Sequence, residues 1–135
     1  MNKYSERKKL IFGIGIDITE VARIEKQITG ESNSFVKKVF TLKEIEYCET
    51  KIKNKVQNYA ARFAAKEAFF KAIGTGLRDG LNWKDIEIEN DPLGKPVVVL
   101  TGKSKQWVAD HQISNIHISL SHVKELAIAV VILEK

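Results

Sequence analysis

A single cysteine, Cys48, excludes an intramolecular disulfide and fits a reducing compartment. Prolines number only two, Pro92 and Pro96, and no internal repeat, low-complexity segment or linker interrupts the chain. No apolar run approaches the ~20 residues of a membrane span. The start, Met1 to Lys9, is charged, and the apolar stretch after it is too short and too broken by glycine and aspartate for a signal peptide. No second cysteine and no paired-histidine spacing exist to build a zinc site. The G-x-S-x-G turn of serine hydrolases is also missing, so Ser119 and Ser121 between His117 and His122 do not make a hydrolase. What remains is a soluble, cytoplasmic chain of 135 residues, 44% hydrophobic and 29% charged, large enough for one self-sufficient core.

Its charge balance is +5, which favours an anionic partner: nucleic acid, a phosphorylated small molecule or an acidic protein. Lys3, Arg7, Lys8 and Lys9 against Glu6 place net +3 of that in the first ten residues. Residues 1–10 therefore read as a basic N-terminal extension, and 11–135 as a single domain.

Alternation over Leu10 to Ile18 predicts a strand with Phe12, Ile14, Ile16 and Ile18 on one face and Ile11, Gly13, Gly15 and Asp17 on the other. Thr19 is placed to cap a helix carrying Val21, Ile24 and Ile28 and ending near Gly30. A short helix is expected around Phe35 to Phe40, and Thr41-Leu-Lys-Glu44 reads as a capping box opening another. The longest helical signal runs from about Val56 to Ile73, is rich in alanine and closes at Gly74. Beyond it come a hairpin (Asp85–Glu89, Pro96–Thr101) turned by Asp91-Pro-Leu-Gly94, a helix over Lys103–Gln112, and strands at Ile116–His122 and Leu126–Leu133. That order predicts an α+β fold with a mostly antiparallel sheet packed against the long helix and shorter ones.

Two carboxylates stand out. Asp17 ends a strand face on which Gly13 and Gly15 offer no side chains, the mark of close approach by a ligand or another backbone. It serves equally well on spacing as a helix cap or surface ion pair. On the long helix, Tyr59, Phe63 and Phe70 fall on one stripe and Glu67 lies within it, an expensive place for a carboxylate without a cation. An ordinary Glu67–Lys71 helix pair explains the pairing but not that inward position. Carboxylates from two elements suit Mg²⁺, which completes its shell with water and substrate phosphate. Arg62, Lys66 and Lys71 then suit the remaining phosphate charge. Gly74-Thr75-Gly76 would let a ligand lie against bare backbone, although a helix C-terminus disfavours anions. His122 ends its strand where a ligand contact is plausible, and His117 reads as structural.

These segments resemble the holo-[acyl-carrier-protein] synthase family, the small 4′-phosphopantetheinyl transferases of bacterial fatty-acid synthesis. The resemblance covers nearly the whole chain from Ile11. It rests on Gly13-Ile-Gly-Ile-Asp17 with Arg23 beyond it, and on Arg62-Phe-Ala-Ala-Lys-Glu67 running into Lys71-Ala-Ile-Gly-Thr-Gly76. Gly94-Lys-Pro96 and His117-Ile-Ser-Leu-Ser-His122 support it. The resemblance implies transfer of phosphopantetheine from coenzyme A to a serine of apo acyl carrier protein, releasing adenosine 3′,5′-bisphosphate. It implies Mg²⁺ at Asp17 and Glu67, and coenzyme A contacts at Arg62, Lys66, Lys71, Gly74, Thr75, Gly76 and His122. Arg23 would meet the acidic carrier, and a homotrimer would form sites between subunits, with neither nucleic acid nor membrane involved. Lys71 and Arg62 would stabilise charge on the phosphoryl oxygens. Glu67 would accept the serine proton, directly or through a metal-bound water, ahead of Glu44, which capping already explains. The rival readings are a small basic nucleic-acid-binding module, which leaves the inward Glu67 unexplained, and a structural trimerisation domain, which needs no metal.

Overall fold

A computed structural model describes residues 8–74 and 80–135. Strand β1 (Ile11–Glu20) leads into helix α1 (Val21–Thr29), followed by α2 (Ser34–Val39), α3 (Leu42–Glu49) and α4 (Lys55–Ile73). A 3-10 turn (Trp83–Asp85) opens strand β2 (Ile86–Asn90), then β3 (Pro96–Leu100), helix α5 (Gly102–Asp110), β4 (Asn115–His122) and β5 (Leu126–Glu134). Both sheets are antiparallel: a three-stranded one in the order β1-β5-β4 and the separate hairpin β2-β3. The α+β expectation holds. Leu10 still exchanges two backbone hydrogen bonds with Lys135, so strand-like pairing reaches one residue into the expected extension.

Helix α4 lies on one face of the larger sheet, and bare backbone lets it approach. A Cβ on Gly15 would sit 1.8 Å from the Ala68 carbonyl oxygen, and one on Gly13 would sit 2.0 Å from that of Ala72. The glycine pattern in β1 thus marks another backbone, that of the helix. Alanines at 60, 61, 64, 65, 68 and 72 are all buried, and the helix closes at Gly74 in the left-handed conformation (φ 83°). Phe69, Phe70 and Ile73 pack with Val131 and Leu133 of β5 and with Ile86 and Ile88 of the hairpin. Tyr59 and Phe63 face a second cluster, with Val21, Ile24, Val39, Phe40 and Cys48.

Two expectations for β1 change. A register shift between Ile11 and Gly13 turns Phe12 away from the isoleucine face, and its ring packs edge-on against Trp107 and His111 instead. Thr19 does not cap α1: the strand continues to Glu20, and the Thr19 hydroxyl donates to Asp17 Oδ2 at 2.6 Å. The capping box does form, with Glu44 N donating to Thr41 Oγ1 at 3.3 Å and Thr41 N to Glu44 Oε1 at 3.0 Å. Among the described residues nothing covers the other face of the larger sheet. Ile14, Ile16 and Ile18 are 55–62% exposed there. No helix among the described residues is long and apolar enough to cross a membrane.

Candidate active site

The close seating of α4 on β1 brings Asp17 and the last turns of the helix together. Lys71 Nζ donates to Asp17 Oδ1 at 3.2 Å and to the Ile16 carbonyl at 3.0 Å. Thr19 fixes the other carboxylate oxygen of Asp17. Glu67, one turn before Lys71, is half-buried. Its burial and the Asp17 charge hold its carboxyl above the ordinary glutamate range, with Lys71 and Arg23 pulling the other way. Asp17, Arg23, Glu67 and Lys71 therefore occupy one electrostatic neighbourhood.

The aromatic stripe does not cage Glu67. Phe63 stacks on Trp83 and tilts against Phe35, Phe70 meets Trp83 edge-on, and Tyr59 meets Phe40 while donating to Glu49 Oε2 at 2.8 Å. Those rings are core. The glutamate sits at the edge of their arc, facing the Asp17 side.

A divalent cation fits the chemistry of this donor set. Burial and then the Asp17 charge raise the Glu67 pKa, and among the described residues the cation bonded to Asp17 is the Lys71 ammonium. That side chain is 55% exposed and free to swing toward an incoming anion. Among the described residues no group of three or more His, Cys, Asp or Glu gathers to ligate a metal by itself. A two-carboxylate site leaves most of an Mg²⁺ shell to water and substrate oxygens.

The remaining basic residues of α4 point elsewhere. Arg62 lies about 140° round the helix from Glu67 at 3.6 residues per turn. It is buried, donates from Nη2 to Asn90 Oδ1 at 2.8 Å, and stacks 4.1 Å over the Tyr47 ring. Its Nε has no hydrogen-bond partner among the described residues. Lys66 is a correction. Its side chain is fully buried, and its ammonium donates to Val39 O and Glu44 Oε1, both at 2.6 Å, and to Trp83 O at 3.2 Å. No proton is left for a phosphate. Glu44 is equally engaged, also accepting from Ile88 N at 2.9 Å, which removes it as a candidate base.

His122 stands at the same end of the sheet as Asp17 and on the same face, but across the width of β5: Ala127 pairs with Thr19 on one side and His122 on the other. His117 points to the bare face, 3.4 Å from Glu134. Gly74 closes α4 next to Lys71, whereas Thr75 and Gly76 lie outside the described residues. Sequence reasoning missed three contributors. Thr19 was legible from alternation, which puts it on the Asp17 face, but capping chemistry masked that. Asn90 and Tyr47 carry no signal of their own, because their pairing with Arg62 is made only in the fold.

The family model described as the 4′-phosphopantetheinyl transferase superfamily matches residues 13–131. A holo-[acyl-carrier-protein] synthase from Geobacter metallireducens is 48% identical over 126 residues, covering 93% of this chain and 99% of its own. One from Geotalea daltonii is 46% identical over 126 residues and is covered completely. Among solved structures, the holo-[acyl-carrier-protein] synthase of Neisseria meningitidis superposes with a TM-score of 0.85 at 34% identity, covering 93% of this chain and 100% of that one. The Helicobacter pylori synthase in complex with coenzyme A gives 0.77 at 36% identity, covering 89% and 98%. By sequence and by fold, the chain belongs to the 4′-phosphopantetheinyl transferase superfamily, in its holo-[acyl-carrier-protein] synthase family.

Proposed function

We propose that this chain transfers the 4′-phosphopantetheine group of coenzyme A to a serine hydroxyl of apo acyl carrier protein, and that Asp17 and Glu67 hold a Mg²⁺ ion for that reaction. What supports the site is the Lys71–Asp17 bond of 3.2 Å, made one turn beyond Glu67 across the glycine-lined contact of β1 and α4. When bound, the ion neutralises diphosphate charge and polarises the phosphorus that is attacked.

The chain's own residues do the rest. Thr19 and Lys71 hold Asp17 in place. Lys71, released toward substrate, meets charge growing on a non-bridging oxygen. Glu67 accepts the serine proton. Arg23, close enough to act on Glu67, would meet the acidic carrier beside the site. The nucleophile comes with the partner protein.

Arg62 and Glu67 lie too far round one helix for a single diphosphate to meet both in one chain. A coenzyme A contact at Arg62, which is buried against Asn90 and Tyr47, requires its guanidinium to turn outward toward a neighbouring chain. The bare sheet face supplies the means of association. Ile14, Ile16 and Ile18 continue into Ile128, Val130 and Ile132 across the register, a contiguous apolar surface of the kind that marks an interface. A homotrimer with sites between subunits joins these observations, in the cytoplasm and in the service of fatty-acid synthesis. His122 completes the coenzyme A contacts.

Incubation with apo carrier protein, coenzyme A and Mg²⁺ is expected to add one phosphopantetheine to the carrier by intact mass, and EDTA is expected to abolish the gain. A carrier of unchanged mass would overturn the transfer; a gain indifferent to EDTA would overturn the metal.

A further inference from the structure

Among the described residues, two heavily engaged side chains lie outside the chemistry just described. Lys66 and Glu44 are both fully buried, and between them they make five hydrogen bonds. Three acceptors around one nitrogen require the full ammonium. Through this point α4 is tied to the end of α2 at Val39, the start of α3 at Thr41, the 3-10 turn at Trp83 and strand β2 at Ile88.

Such a pair is a poor device for stability, since stripping water from two ions offsets most of their attraction. It is well suited to fixing a register. On the sheet side α4 is a row of alanines lying on glycines, with Ala68 and Ala72 against Gly15 and Gly13. That contact sets how closely α4 seats on the sheet, and Lys66, about 160° round the helix from Ala68, holds the opposite side. One residue of rotation is about 100°, enough to carry a side chain from one face to another. Lys66 immediately precedes Glu67 in the chain.

We infer that the buried Glu44–Lys66 pair is the key that fixes the rotation of α4, so that Glu67 faces Asp17; Lys66 and Glu44 are positioning residues for the divalent cation. The inference rests on the reading of Asp17 and Glu67 as the cation's ligands.

The test is Mn²⁺ affinity, measured by calorimetry in the presence of coenzyme A at a temperature well below each variant's melting point. Lys66→Met is expected to weaken Mn²⁺ binding at least tenfold and to lower kcat, while KM for the carrier stays within twofold. Lys66→Arg, which restores donors to the same acceptors, is expected to recover most of the affinity. Ile86→Val, a core truncation away from the carboxylates, is expected to lower the melting temperature and leave affinity untouched. Should Lys66→Met fail to fold, Glu44→Gln carries the test, with an expected loss of several-fold. A folded Lys66→Met or Glu44→Gln protein with wild-type Mn²⁺ affinity overturns the inference, as does an Ile86→Val loss equal to theirs. Asp17→Asn separates the two claims: if it binds Mn²⁺ as wild type does, the ligand assignment itself has failed.

Discussion

Glu67 is governed by neighbours more than by its own helix. Burial and the Asp17 charge raise its pKa above the 4.5 of a free glutamate, and a cation must displace that proton to bind. Mn²⁺ affinity, followed by calorimetry against pH, is therefore expected to fall on acidification with a midpoint above 4.5. A midpoint at or below 4.5 would contradict the assignment. The sign for folding is the reverse of the usual carboxylate case. A raised folded-state pKa favours the fold while Glu67 is protonated, and that contribution is lost as pH rises through the pKa. A bound cation offsets the loss. At this scale the sequence was informative where a residue type was out of place, as with a carboxylate on a largely buried helix. It was silent about Asn90 and Tyr47, ordinary residues whose roles come from meeting Arg62. It misled at Lys66, because a lysine beside an acidic site reads as phosphate-binding until the Glu44 partner, 22 residues away, is seen at 2.6 Å.

The contact between β1 and α4 is the element on which the site depends. Periodicity located both elements nearly to the residue, since alternation and an alanine-rich run closed by glycine are local signals. The bulge at Phe12 was not legible, because it reflects pairing with β5 and packing on Trp107, both distant in sequence. Gly13 and Gly15 were read as a place of close approach, and the helix backbone is what approaches. A methyl group at Gly15 would have to occupy space 1.8 Å from the Ala68 carbonyl oxygen, so helix and strand must separate to admit it. Gly15→Ala is expected to lose at least the ~1–3 kcal/mol typical of overpacking in urea denaturation. Metal affinity should fall with it, because the same separation parts Asp17 from Glu67. Wild-type stability in Gly15→Ala would show that the contact is looser than described.

Across the whole molecule, α4 carries the proposed site residues on two sides. Glu67 and Lys71 face Asp17, whereas Arg62 faces Asn90 and Tyr47. Fold class was legible from the order of elements, and the family from the resemblance its motifs carry. The split was not, because it is a matter of where each side of a helix ends up. If neighbouring chains supply the two halves, Glu67→Gln and Arg62→Ala proteins, each inactive alone, are expected to regain activity when unfolded and refolded together. Random assembly makes about one site in four whole. No recovery would place all the machinery within one chain. The most direct measurement is a calorimetric Mg²⁺ titration of the assembled protein with coenzyme A present. One ion per chain is expected for the wild type, and no measurable binding for Asp17→Asn or for Glu67→Gln; wild-type stoichiometry and affinity in both variants would contradict a cation shared by these two carboxylates.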